Sequence, residues 1–147
     1  MYWNIRAITE GDLRAISRLF ISVFNSSPWD EYWEYAWADE RLNWIYQSQG
    51  FVGYIAIDSD RVIGAIMGHF APFQGKKGFK IVEFFVDSDY QNQGLGSKLL
   101  NQLESNLRQG DYDFVSLLTA RDSSAESFYL KRNYQRDRKI VLLNKKL

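Results

Sequence analysis

The stretch Phe79-Lys80-Ile81-Val82-Glu83-Phe84-Phe85-Val86-Asp87-Ser88-Asp89-Tyr90-Gln91-Asn92-Gln93-Gly94-Leu95-Gly96-Ser97 decides the reading of this chain. Its first eight residues are almost all apolar and predict a strand, Phe79 to Val86. Behind it, Leu95, Leu99, Leu100, Leu103 and Leu107 recur with a 3.6-residue period and predict a helix from Gly94 to Arg108. Between them lies a turn with two glycines. Glycine lets a backbone approach a ligand closely, because no Cβ intrudes. The first N–H groups of a helix and the positive end of its dipole favour an anion such as phosphate. The same turn also reads as a tight connection whose glycines serve packing alone. It is not a P-loop, since no G-K-[ST] follows, nor a dinucleotide G-x-G-x-x-G.

Upstream, Tyr2 to Ile8 alternates and predicts a strand. Thr9 with Asp12 forms a shortened capping box, and Leu13, Ile16, Phe20 and Val23 mark one helix face ending near Phe24. Ser27 and Pro28 predict a second helix start, with the helix running from Trp29 to Gln47. Phe51 to Ile57 and Arg61 to His69 predict a hairpin across Asp58-Ser59-Asp60. Phe70 to Gly78 reads as a loop. Downstream, Phe114 to Leu118 is a strand, Ser124 to Arg132 a helix closed by Asn133, and Gln135 to Leu147 one or two more strands. The order β-α-α-β-β-β-α-β-α-β predicts an α+β sheet with helices on both faces.

A length of 147 residues fits a single domain, 1–147. With no cysteine, disulfides, zinc–thiolate sites and cysteine nucleophiles are excluded. The single histidine, His69, excludes multi-histidine metal sites and argues against a Ser-His-Asp triad; as a residue at a strand end it reads as a surface or capping group. No metal is expected. The absence of a signal peptide and of an 18-residue apolar run predicts a cytoplasmic protein that does not enter membranes. Net charge is zero, which argues against nucleic acid. The balance hides a polarity. Residues 1–60 carry four Arg against nine acids, giving −5, and residues 61–147 carry 14 basic residues against nine acids, giving +5. This fits an anionic ligand late in the chain and a cationic one early, or plain surface scatter.

The segment Phe85-Val86-Asp87-Ser88-Asp89-Tyr90 followed by Gln91-x-x-Gly94-x-Gly96 resembles the signature of the GCN5-related N-acetyltransferases (GNAT). Downstream, Ala125-x-x-Phe128-Tyr129-x-Lys131-x-Asn133-Tyr134 resembles a second segment of that family. Two departures stand out: Asp122 in place of a frequent Asn, and Asn133 in place of a Gly. The resemblance implies a central, mixed, mostly antiparallel twisted sheet of six to seven strands flanked by about four helices. It implies acetyl-CoA as cosubstrate, held by Gln91, Asn92, Gln93, Gly94, Leu95, Gly96 and Ser97 at its pyrophosphate. Phe84, Phe85 and Val86 would lie along the pantetheine arm beside a bulge, and Asp122 and Lys131 would belong to the same site. The region of the second helix, with Pro28-Trp29 at its start, also resembles that of a branch acting on aminoglycosides and related small amines.

Two side chains carry the expected chemistry. Glu83 is a lone carboxylate in an apolar strand, where burial raises a carboxyl pKa and suits a general base. Tyr129 reads as a core residue by its helical setting; the resemblance implies instead a proton donor to the leaving thiolate, which a phenol can be at pH 7. No base stands by Ser123, Ser124 or Ser127, so direct transfer in a ternary complex is expected rather than an acyl-enzyme. The acceptor expectation rests on the aromatic second helix, with seven aromatics in Trp29 to Gln47. There Trp29, Asp30, Trp33 and Glu34 would bind a small cationic amine, by cation–π attraction and charge, unless the aromatics are core and the acids merely a wet face. Two other readings stay open: a noncatalytic CoA-binding or docking module, and a protein N-terminal or lysine acetyltransferase. A homodimer through a sheet edge at Ile140 to Leu143 is a further expectation.

Overall fold

The computed structural model describes residues 3–147, so Tyr2 of the first predicted strand lies outside it. The chain forms two compact units, Met1–Leu117 and Leu118–Leu147. The first contains a sheet of five strands in the order β1 to β5: β1 (Asn4–Ala7), β2 (Val52–Asp58), β3 (Arg61–Phe70), β4 (Gly78–Val86) and β5 (Phe114–Leu117). Neighbours pair antiparallel except β4 and β5, which are parallel. This is the mixed, mostly antiparallel sheet that the family resemblance implies.

Helix α1 (Leu13–Phe24) follows a 3-10 turn, Glu10–Asp12. Asp12 Oδ2 accepts from the Thr9 N–H at 2.8 Å and from its hydroxyl at 3.0 Å, which closes the foreseen capping box. Arg6 adds two bonds to the same carboxylate and holds it down to a pKa of about 2. Ile16, Leu19, Phe20 and Val23 bury one stripe, each worth roughly 1.5–3 kcal/mol of transfer energy. They pack with Ala38, Leu42 and Ile45 of α2 (Tyr35–Tyr46) and with Ile55, Ala65, Met67 and Phe85 of the sheet. The opposite face takes α3 (Leu95–Gln109): a Cβ on Gly64 would meet Leu95 and Leu99.

Helix α2 begins six residues later than Trp29. Asp30 sits at φ 50, outside helical geometry, and the Asn25 side chain grips the Trp33 backbone at both N–H (2.8 Å) and carbonyl (3.0 Å). These bonds hold residues 29–34 as an irregular segment against Phe24, to whose carbonyl the Glu31 N–H donates. An Asn competing for backbone groups is the mechanism that the apolar periodicity conceals.

The second correction concerns the sheet edge. Gln135 to Leu147 contains no strand, so five strands form rather than six or seven. The N–H groups of Lys139 and Ile140 both turn onto Asp137 Oδ1, at 2.8 and 3.2 Å, a local turn that competes with a ladder. In this second unit α4 (Ser124–Leu130) is capped by Ser123, whose hydroxyl accepts from the Glu126 N–H, and Asn133 takes the left-handed φ of 71 foreseen for a helix end.

The β3–β4 ladder slips by one residue. Met67 faces Glu83, yet Gly68 faces Ile81, so Val82 is an extra residue, a β-bulge. Side chains alternate, so the slip moves the odd-numbered residues of β4 across the sheet. Phe79 and Ile81 share the α3 face with Gly64 and Gly68, whereas Glu83 and Phe85 share the α1–α2 face with Met67 and Ala65. Gly68 is required at the slip, because a Cβ there would overlap the Lys80 carbonyl and press on the Phe79 ring. Gly68→Ala is therefore expected to destabilise the fold by roughly 2–3 kcal/mol, the cost of forced overpacking, read as a lower urea midpoint by circular dichroism. An unchanged midpoint would show that the slip does not depend on this glycine.

Candidate active site

The bulge coincides with the end of a ladder. Pairing of β4 with β5 stops at Ile81↔Leu117, one residue before Val82, while β4 itself runs on to Val86. Past Val86 the chain is tied down at several points. Asp87 is buried; its Oδ1 accepts from the Asp89 N–H at 2.9 Å and its Oδ2 from Arg61 at 2.6 Å. The Tyr90 hydroxyl donates to Asp58 at 2.5 Å, a bond that raises the phenol pKa. Gln91 Nε2 donates to the Val86 carbonyl and Gln93 Nε2 to that of Asp89, both at 3.1 Å. These bonds fasten the turn to the β2–β3 hairpin, whose own turn uses Ser59 at φ 57.

The turn enters α3 through two left-handed residues, Asn92 at φ 61 and Gly94 at φ 84. Gly94 is the N-cap and brings no side chain to it, and a Cβ built there meets nothing within 4 Å. Gln91 to Gly94 are exposed, Gly96 and Ser97 half-buried, and the Leu95 side chain is in the core. Leu95 can therefore serve a ligand by its backbone alone. An exposed helix start, positive in its dipole, with open space over a glycine, suits a phosphate lying against backbone.

Glu83 stands on the opposite side of the bulge from Ile81, 8% exposed, in the neighbourhood of an aromatic cluster. Phe85 meets Phe20 and Phe24 at 5.6 Å between ring centres, Phe20 meets Trp33 at 4.8 Å, and Phe24 meets Trp29 at 5.5 Å. Arg41 Nε donates to Glu83 Oε1 at 2.5 Å. Burial pushes the carboxyl pKa up, the Arg41 charge and hydrogen bond pull it partly back, and Glu31 adds to the rise. The net effect is upward, which makes the carboxylate a readier proton acceptor than a solvated one.

A cavity of about 320 Å³ is lined by Trp33, Trp37, Glu40, Arg41 and Trp44. Of the four residues expected to bind an acceptor, Trp33 lines it, its indole N–H held by Glu31 at 2.8 Å. Trp29 packs on Phe24 instead, Asp30 is exposed in the irregular segment, and Glu34 is the N-cap of α2, accepting from the Tyr32 hydroxyl. A helix running from Trp29 would have grouped them, and the helix starts at Tyr35. Arg41 and Glu40 had not been singled out. Their signal was present as a second stripe, Trp37, Arg41 and Trp44 at i, i+4 and i+7, one position before the buried stripe of Ala38, Leu42 and Ile45. His69 Nδ1 lies 2.9 Å from the Phe70 carbonyl, and its ring is 6.3 Å from Trp44.

Asp122, Tyr129 and Lys131 belong to the second unit. The Asp122 carboxylate is bound by Arg136 at 2.7 Å, and the same guanidinium holds Glu126. Tyr129 lies on α4 with its ring 5.4 Å from both Phe128 and Tyr134, and Lys131 is the exposed C-cap. Among the described residues no group of His, Asp or Glu is arranged to hold a metal ion, and no helix is long and apolar enough to cross a membrane.

A sequence model of the Acetyltransferase (GNAT) family matches residues 13–134. The chain belongs to this family. The activity common to it is acetyl transfer, which makes the protein an acyltransferase. No curated protein matches the sequence. Solved GNAT-fold structures align over nearly the whole chain. A transcriptional regulator from Bacillus halodurans C-125 is 18% identical with a TM-score of 0.79, covering 98% of this chain and 100% of its own. An aminoglycoside acetyltransferase from an uncultured soil metagenomic sample, in complex with sisomicin, is 20% identical with a TM-score of 0.76, covering 99% and 97%. A ribosomal-protein-alanine N-acetyltransferase from Brucella melitensis is 13% identical with a TM-score of 0.79, covering 99% and 100%. At these identities the likeness is one of fold.

Glu83 supplies a sign test. Its raised pKa means that the folded state disfavours the charged form, so the group stabilises the fold below its unfolded pKa and loses that contribution as pH rises through the folded value. Glu83→Gln, permanently neutral, is expected to melt at a higher temperature than the native chain at pH 7. The gap should close as pH falls toward 4 in calorimetric scans. A lower melting temperature at pH 7 would mean that the bond to Arg41 outweighs burial.

Proposed function

We propose that this GNAT protein is an acetyl-CoA-dependent N-acetyltransferase acting on a small cationic primary amine by direct transfer in a ternary complex, as one domain and in the cytoplasm. The family match across residues 13–134 supports treating the two units as one domain. The observation that carries the reading is the bulge at Val82. It sits where the β4–β5 ladder ends and turns Glu83 toward Arg41 and the tryptophan pocket, with the Gly94 turn at the far end of the same strand.

The residues fit the cosubstrate. Gln91, Asn92, Gln93, Gly94, Leu95, Gly96 and Ser97 would hold the pyrophosphate through backbone N–H groups, and Phe84, Phe85 and Val86 would follow the pantetheine arm. Asp122 and Lys131 join this set on the family resemblance alone, and the grip of Arg136 on Asp122 makes it the less typical member. When bound, acetyl-CoA supplies an acetyl group activated as a thioester. Glu83 takes the proton from the attacking amine nitrogen. Tyr129 gives its phenolic proton to the departing sulfur, again on the resemblance of its segment.

The pocket favours a cation. The Arg41 charge is matched by Glu83, which leaves Glu40 as the remaining charge among three tryptophan rings. The soil-metagenome neighbour, crystallised with sisomicin, supports the same class of acceptor. A noncatalytic module would have no need of a buried, destabilising carboxylate beside that pocket.

Three experiments test this. Gly94→Val, which adds side chain where the backbone needs φ 84 and open space, should weaken acetyl-CoA binding in calorimetry at least about tenfold, or 1.4 kcal/mol, with the helix content unchanged. Unaltered affinity in a folded variant removes the turn from the site. A panel of polyamines, aminoglycosides and neutral amines assayed for free CoA thiol should favour the polyamines and aminoglycosides, with kcat/KM falling as salt rises. Glu83→Gln should lower turnover of the best amine about 10²-fold at pH 7. A salt-independent preference for neutral amines would exclude the acceptor assignment.

A further inference from the structure

Arg41 links two parts of the site: it lines the tryptophan pocket and donates to Glu83. Its position is set from behind. Ala38, Leu42 and Ile45 are fully buried, so the rotation of α2 about its axis is fixed by the core, and the residue preceding Leu42 is delivered to the edge of that stripe. The sheet delivers the partner through the bulge that brings Glu83 onto the same face.

The manner of the contact matters. A guanidinium and a carboxylate can pair through two parallel bonds that occupy both oxygens. Here one nitrogen, Nε, meets one oxygen, Oε1, and Oε2 accepts no hydrogen bond from the described residues. The acid is thereby held at one oxygen, with its other lone pairs left to receive a proton. The groups acting on Glu83 are few. Arg41 approaches from α2 and Glu31 from the irregular segment before it, while Met67, its partner on β3, is apolar. Arg41 is therefore the cation that opposes both the desolvation of Glu83 and the repulsion from Glu31.

We propose that Arg41 is a positioning residue for the transfer: held by α2, its guanidinium anchors Glu83 through one oxygen, so that the other is ready to take the proton of the acceptor amine. This rests on Glu83 being the base. Removing the cation should leave a buried carboxyl that protonates more readily, so that the base is lost at a higher pH than in the native chain, while acetyl-CoA binding, which involves the far end of β4, is unaffected.

The test uses the full chain as Arg41→Gln and Arg41→Lys, beside Glu83→Gln. The first readout needs no acceptor: the titration midpoint of the Glu83 carboxyl carbon by ¹³C NMR. It should rise by roughly one unit in Arg41→Gln, the lower end of what an adjacent opposite charge contributes. It should return most of the way in Arg41→Lys, which restores the charge without the planar fork. The second readout is kcat/KM against pH with acetyl-CoA and the fastest amine of the panel above. In Arg41→Gln the acid limb should move to higher pH by the same amount, with the activity lost on that limb recovered in alkali, and calorimetric acetyl-CoA affinity unchanged. An unmoved midpoint in a folded Arg41→Gln overturns the proposal, as does an equal loss of rate at every pH. If Arg41→Gln does not fold, Arg41→Met, which also removes the charge, takes its place: a Glu83 midpoint raised above that of the native chain supports the proposal and an identical one overturns it. A Glu83→Gln variant that retains the native rate overturns the base reading itself, whatever the midpoints show.

Discussion

One extra residue in β4 organises this molecule. Without the slip, with Val82 paired in regular alternation, Glu83 would fall on the α3 face with Phe79 and Ile81, against the leucines of α3. With it, Glu83 and Phe85 turn to the α1–α2 face, where Arg41 is available. A sheet tolerates such a slip only if the facing strand yields space, and Gly68 yields it by having no side chain. The slip also falls where β5 stops pairing, so the same local irregularity marks the end of the parallel ladder and the position of the buried acid. From there β4 leads through Asp87, fastened by Arg61, into the Gly94 turn. The buried acid and the Gly94 turn are thus joined by the last residues of one strand.

The cost of this arrangement lies in Glu83. Its carboxylate is largely out of water, and desolvation is the largest influence on its pKa. One cation answers it, from a helix whose own packing is apolar. Helix α2 carries two adjacent stripes: the buried one seats it, and the stripe of Trp37, Arg41 and Trp44 faces the cavity. Seven aromatics between Trp29 and Gln47 are more than a buried face requires. Trp29 and Trp33 pack on Phe24 and Phe20, and Trp37 and Trp44 line the pocket with Trp33. Core and cavity lining are continuous through Trp33.

The sequence by itself determined the elements with strong periodicity or a specific turn: α1 with its capping box, the β2–β3 hairpin, the apolar β4 and the leucine helix opened by Gly94. These depend on contacts within a few residues, so local pattern carries them. Family membership was legible for the same reason, in Gln91-x-x-Gly94-x-Gly96 and the Phe128-Tyr129 segment. Glu83 stood out because a charge in an apolar strand is costly wherever the strand lies. Only the tertiary structure decided the rest. Burial at Phe79, Ile81, Glu83 and Phe85 has the same odd spacing on both sides of the bulge, so the face switch leaves no trace in the sequence and exists only relative to β3. The late start of α2 depends on Asn25 reaching Trp33 eight residues on, and the missing C-terminal strand on Asp137 capturing two N–H groups. The partner of Glu83 is 42 residues away. No local pattern records a pairing that exists only after a helix has been seated on a sheet, and that seating is what places Arg41 beside the acid.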